Sequence, residues 1–92
     1  MLEAVKTALG IKSNAYDAVL KGSIASAVAD LRLVGVVNLE DTDPLIITAV
    51  SSYAQAYLPG TDADKRNAFL EIYKNQKHNL SMASEYTEVA QE

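Results

Sequence analysis

Residues 43–58, DPLIITAVSSYAQAYL, decide the fold class of this chain. Asp43 suits a helix N-cap, and Pro44 suits the first helical position, because its missing N–H would have no partner there. Pro59 and Gly60 then end the pattern. The stretch therefore predicts one amphipathic helix. Its apolar side chains recur at helical spacing: Ile46, Ala49, Val50, Tyr53 and Tyr57.

Helical signals continue on both sides of this stretch. A short helix is predicted over residues 2–9, and a long one is predicted to begin after Asn14 as its N-cap and to end at residues 34–35. Val36 and Val37 then suit either a loop or a short extended segment. We interpret Gly22, Ser23 and Ser26, inside the long helix, as small side chains that let another helix approach closely.

A further main helix is predicted to begin at Thr61 or Asp62 and to reach Leu80, and the character of the chain then changes. Residues 81–92, SMASEYTEVAQE, are rich in Ser and Glu. We expect them to leave the core and to become ordered on a partner. The prediction is an all-α fold, a small bundle of three main helices with a short N-terminal helix and an extended C-terminal tail. A helical domain would span residues 1–80 and a tail residues 81–92.

Composition limits the function classes. The chain has 92 residues, one domain's length, and a formal net charge of −4, which disfavours binding to nucleic acid or to anionic membranes. The absence of cysteine excludes disulfides, thiolate metal sites and thiol catalysis. The sequence shows no secretory signal and no apolar run of the roughly 20 residues that a spanning helix needs. We expect a soluble protein made in the cytoplasm, with no membrane partner.

No residue pattern indicates catalysis, a cofactor or a metal site. His78 is the single histidine, with no recognisable nucleophile or orienting carboxylate near it in sequence. The acidic residues 40, 41 and 43 do not have the spacing of a calcium loop and are better explained by capping and solvation. The basic residues 65, 66, 74 and 77 suit a solvated helix face. We therefore expect a protein that is not an enzyme and that has no cofactor.

The layout of the whole chain resembles the small head–tail connector proteins of tailed bacteriophages. The most specific pieces are the long helix that closes as Asp30-Leu31-Arg32 before Gly35, and the helix start Asp43-Pro44-Leu45-Ile46 with Ala49 and Tyr53. The late Tyr73 followed by Leu80-Ser81 completes the likeness.

The resemblance implies a homo-oligomeric ring in the virion, a dodecamer being one candidate. The ring would dock under the portal protein, extend the DNA channel without sequence-specific binding and offer a platform to a further connector or tail protein. Residues 81–92 would be the portal-docking arm, with Met82, Tyr86 and Val89 as contacts. Neighbouring subunits would meet at small residues and one arginine: Ser23, Ser26, Ala27 and Arg32.

Two other classes stay open at this point. A small helical adaptor or regulator would bind a protein partner or DNA, although residues 43–58 carry almost no positive charge for a recognition helix. A lone tail tyrosine such as Tyr86 is as compatible with no role as with an interface anchor. A small enzyme is the least supported class, because no nucleophile–base pair is present.

Overall fold

A computed structural model describes residues 1–88 of the chain. In this part of the chain five helices and no strand are present, which confirms the predicted all-α fold. The helices are α1 (Leu2–Leu9), α2 (Asp17–Leu33), α3 (Pro44–Ala56), α4 (Ala63–Met82) and α5 (Ser84–Thr87).

Helix α3 lies at the centre of the bundle. It packs against α4, α2 and α1, so its apolar stripe meets three neighbours rather than one. Its inward side chains are completely buried, as a helix that is covered on several sides requires. These side chains, Ile46, Ala49, Val50 and Ala54, form the core together with Leu20, Ala27 and Leu31 of α2 and with Tyr73 and Leu80 of α4.

Two aspartates begin the helices that form this core. The Leu45 N–H donates to Asp43 Oδ1 at 2.9 Å, and the Lys65 N–H donates to Asp62 Oδ1 at 2.8 Å. Each carboxylate satisfies an N–H group that the helix itself leaves without a partner, and its negative charge suits the helix dipole. The predicted starts of α3 and α4 are therefore confirmed.

The predicted start of α2 is wrong. Asn14 does not cap this helix; its side-chain oxygen instead accepts a hydrogen bond from Lys6 Nζ at 2.8 Å. Tyr16 occupies the N-cap position without a side-chain cap. Lys6 is only 5% exposed and also lies 2.9 Å from Asp17 Oδ1. A buried ammonium needs such partners, and this one recruits Asn14 away from the helix.

The described part of the predicted tail, residues 81–88, does not leave the core. Helix α4 continues through Met82, and after Ala83 the short helix α5 turns back. Tyr86 packs against the core cluster, and the loop before α3 supplies its backbone partners. The expected free tail is therefore incorrect over these residues, because Tyr86 finds partners within the chain.

None of the helices in residues 1–88 has both the length and the apolar character that crossing a membrane would require.

Candidate assembly surfaces

The segment 83–88, which we call the strap, is held to the loop before α3 by backbone hydrogen bonds. The N–H groups of Val37 and Asn38 both donate to the Tyr86 carbonyl oxygen, at 2.8 and 3.3 Å. The Asn38 side-chain amide donates to the carbonyl oxygens of Glu85 and Glu88, at 2.7 and 3.3 Å. One asparagine therefore satisfies carbonyl groups at the end of a very short helix, where they have no internal partner.

A side-chain hydrogen bond fastens the strap to the start of α3. The Tyr86 hydroxyl donates to Asp43 Oδ2 at 2.9 Å, while Asp43 Oδ1 accepts the capping N–H of Leu45. The hydrogen bond to Asp43, with some loss of solvent and the nearby negative charges of Asp43 and Glu85, raises the pKa of Tyr86 above its usual 10.0. One carboxylate thus serves both the helix cap and the strap.

An apolar pocket opens between the strap, the start of α3 and the end of α4. Its volume is about 270 Å³, and its surface is mainly apolar. This exceeds the roughly 150 Å³ of an engineered protein cavity that holds benzene. We call it the strap pocket; it is lined by Leu45, Gln76, Asn79, Leu80, Ala83, Glu85 and Tyr86.

The middle of the bundle carries a cluster of tyrosine rings. The ring centroid of Tyr53 lies 5.0 Å from that of Tyr57 and 5.1 Å from that of Tyr73. These separations are typical of favourable aromatic pairs. The guanidinium of Arg66 lies 5.9 Å from the Tyr57 centroid, and Lys77 Nζ lies 5.5 Å from the Tyr73 centroid, within cation–π range. The cluster ties α3 to α4.

Asp30 joins α2 to this cluster. Its Oδ2 atom accepts hydrogen bonds from the Tyr73 hydroxyl at 2.6 Å and from Lys77 Nζ at 3.1 Å. The Tyr73 hydrogen bond and the Lys77 ammonium lower the pKa of Asp30 below 3.8, against some loss of solvent. Burial, followed by the hydrogen bond to Asp30, raises the pKa of Tyr73 strongly. These groups are satisfied by one another and serve packing.

A shallow groove runs between α2 and the rings of Tyr53 and Tyr57. Its volume is about 410 Å³, and its α2 wall consists mostly of small residues: Ala18, Val19, Gly22, Ser23 and Ser26. A Cβ atom added to Gly22 would meet nothing within 4 Å. The fold of the chain therefore gives no steric reason for a glycine at this position.

The predicted subunit-interface residues separate into two groups. Ala27 is completely buried in the core, and Ser23 is 8% exposed in the wall of the groove beside α2. Ala27 therefore has no surface for a neighbouring subunit, and its assignment is corrected to a core residue. Ser26 and Arg32 are exposed on α2. Their role in an interface stays a prediction.

The predicted portal contacts also differ from one another. Met82 is 75% exposed at the end of α4, so packing within the chain does not explain an apolar side chain at this position. Tyr86 is partly buried and bonded to Asp43. Val89 lies outside the described residues.

Within residues 1–88 no group of three His, Asp or Glu side chains is arranged to hold a metal ion. His78 is exposed on α4, and its carbonyl oxygen accepts a hydrogen bond from Ser81 Oγ at 2.7 Å.

Sequence reasoning missed the partners of the strap. Asn38 and Asp43 precede Tyr86 by more than 40 residues, and a single sequence carries no signal that pairs positions so far apart. It also missed the strap pocket, which exists only because the strap turns back over Leu45 and Leu80. An isolated tyrosine among polar tail residues was the one available hint.

Comparison with known proteins identifies the family. The sequence profile of the family described as phage connector protein matches residues 1–87. No curated protein and no solved structure gives a significant match. The profile covers all but five residues of the 92 and confirms the resemblance seen in the sequence, and with it a structural role in the head–tail connection and a place in the virion. The chain therefore belongs to the phage connector protein family.

Proposed function

We propose that the chain is one subunit of a homo-oligomeric ring that docks under the portal of a tailed phage. The ring extends the DNA channel below the portal and offers a platform to a further connector or tail protein. The subunit acts as a structural part and not as an enzyme. The observation that carries this proposal is the family match over residues 1–87.

The exposed side chains support assembly with other proteins. Monomeric proteins seldom expose large apolar side chains in groups, whereas assembly surfaces do. Leu33 is 85% exposed, Met82 75% and Leu45 57% in the isolated chain. All three lie at the end of the bundle where α2 and α4 finish and α3 starts. This end is the first candidate for contacts in the virion.

The C-terminal segment is proposed as the portal-docking arm. Met82 offers an apolar side chain that the isolated chain leaves in solvent. Tyr86 would contribute the part of its ring that the fold leaves exposed, while its hydroxyl stays bonded to Asp43.

The acidic balance suits a channel through which DNA moves. A net charge of −4 for each subunit accumulates around a ring and repels the phosphate backbone. Repulsion keeps DNA from adhering to the wall while it passes. The subunit number follows from ring closure, with a dodecamer as the first candidate.

Native mass spectrometry of the purified protein, alone and with the portal of the same phage, tests the proposal. A closed oligomer, or one that forms only on the portal, is the expected result. Met82→Gln is expected to weaken portal binding while leaving the fold intact, because Met82 is 75% exposed. Ile72→Gln, which changes an apolar side chain 46% exposed on the same helix, is the matched control. A monomer that binds no portal contradicts the proposal.

A further inference from the structure

The end of α2 projects a group of apolar side chains that the chain itself does not cover. Leu33 is 85% exposed, Val37 45% and Val34 39%, although their neighbours Leu31 and Val36 are completely buried. We call Leu33, Val34 and Val37 the knob. An apolar projection of this kind costs solubility and is typical of an interface.

The strap pocket is the complementary feature. It is concave and mainly apolar, and at about 270 Å³ it has room for more than one aliphatic side chain. The knob side chains do not line it, although the Val37 N–H donates to the Tyr86 carbonyl oxygen beside it, so the two features lie next to each other and neither covers the other. A projection and a recess on separate elements of one subunit can join identical copies head to tail.

The charges beside the two features have opposite sign. Arg32 precedes Leu33 and is exposed, and it forms no ion pair with any of residues 1–88. Glu85 lines the strap pocket and is exposed, likewise without an ion pair in the described part of the chain. An adjoining cleft adds Glu40 and Asp43 to the same acidic side. The knob therefore carries a positive charge beside it and the pocket a negative rim. Complementary charges of this kind guide the orientation of two partners more than they add affinity.

We infer that the knob of one subunit enters the strap pocket of a second copy of this chain, with Arg32 facing Glu85 of that copy. The inference rests on the proposed ring and names its contact. Leu33 takes the central place, because it is the most exposed large apolar side chain of the set. Because the knob and the pocket are different surfaces, the contact can repeat head to tail from copy to copy, and it closes into a ring when the rotation between neighbours allows closure.

The contact also gives the strap a role in assembly. Glu85 and Tyr86 line the pocket only while the strap lies against the loop and Asp43. Release of the strap would remove one wall of the pocket. The strap of each subunit therefore has to remain in place at the junction with its neighbour.

Reversing the two charges tests whether Arg32 of one copy faces Glu85 of the next. Arg32→Glu and Glu85→Arg are each expected to weaken self-association by about tenfold, and the double variant is expected to recover most of it. Native mass spectrometry across a concentration series measures the change. Lys74→Glu, a charge reversal on the exposed face of α4, is the matched control. Equal loss in the double variant overturns the pairing.

Disulfide trapping tests the contact itself, since the natural chain has no cysteine. Leu33→Cys and Ala83→Cys chains, purified separately and mixed under mild oxidation, are expected to form mixed covalent dimers well in excess of either homodimer. An Ile72→Cys chain mixed with Leu33→Cys is the control and should give no such excess. Absence of the mixed dimer, or an equal yield with the control, overturns the inference.

The knob–pocket contact and the proposed ring fail separately. If wild-type chains form a ring and the Leu33–Ala83 cross-link is absent, the contact is wrong and the proposed function stands. If the cross-link forms and neither the protein alone nor the protein with its portal gives a closed oligomer, the contact stands and the ring is wrong.

Discussion

Tyr73 and Tyr86 each donate a hydroxyl hydrogen bond to an aspartate 43 residues earlier, yet the two pairs hold different parts of the molecule. Tyr73 is 3% exposed, bonds to Asp30 at 2.6 Å and packs edge-on against Tyr53 in the tyrosine cluster. Tyr86 belongs to the short helix α5 at the edge of the fold and bonds to Asp43 at 2.9 Å. The first pair is surrounded by packing, whereas the second depends on hydrogen bonds.

The difference indicates which part is fixed and which part can change. The Tyr73–Asp30 pair lies among buried apolar side chains, and apolar burial gives most of the stability of a small domain. Hydrogen bonds at an exposed edge contribute little net free energy, because water replaces them. The bundle centre is therefore the scaffold, and the strap end is the part suited to adjusting at a junction.

The largest expected effect is at the centre of the bundle. Ile46→Ala removes a completely buried side chain of α3, and we expect a loss of about 2–5 kcal/mol in the free energy of unfolding. Urea denaturation followed by circular dichroism measures it. Leu45→Ala, one residue earlier and 57% exposed, is the control and should cost far less. Equal losses would place the core elsewhere.

Tyr73→Phe keeps the ring and removes only the hydroxyl bond to Asp30. We expect a loss of about 1 kcal/mol near neutral pH. Because the pKa of Asp30 is lowered in the fold, its contribution is present above pH 3.8 and is lost as the pH falls through the folded pKa. The variant should therefore show a weaker fall in stability on acidification. An unchanged acid profile in thermal unfolding would contradict the role of this pair.

Gly22→Ala is expected to stabilise the isolated chain by about 0.5–1 kcal/mol, because glycine is a poor helix former and the added Cβ meets nothing. Thermal unfolding of the monomer measures this. A loss of stability instead would mean that the groove is closed in solution. Ala25→Gly, at an exposed position of the same helix, should have the opposite sign.

The smallest effect is at the strap. Tyr86→Phe should leave global unfolding unchanged and speed hydrogen exchange at the N–H groups of Val37 and Asn38. In the natural chain the Tyr86 hydroxyl keeps its proton, and with it the bond to Asp43, below pH 10.0. The bond is lost as the pH rises through the folded pKa, which lies above 10.0. The variant should lack this alkaline step in the amide exchange. An identical step in both proteins would contradict the Tyr86–Asp43 bond.

The features that the sequence predicts correctly are those that depend on residues close to one another along the chain. The capping residues Asp43 and Asp62 act on their own helices, within three residues, so the starts of α3 and α4 follow from the sequence. Asn14 has an equally good local signal, but buried Lys6 claims its side chain. The strap and its pocket depend on contacts between residues 36–45 and 83–88, for which a single chain offers no periodicity. Ala27 was misplaced because a small residue suits a core and an interface equally.

Hydrogen exchange of the free protein and of the assembled connector compares the two regions most directly. We expect added protection on assembly at residues 33–45 and 76–88, which include the knob and the strap pocket. Exchange around Tyr53 and Tyr73 should stay as it is in the free chain. Protection that appears over the α2 groove and leaves the knob and strap pocket unchanged would contradict the assignment of the strap end as the assembly surface.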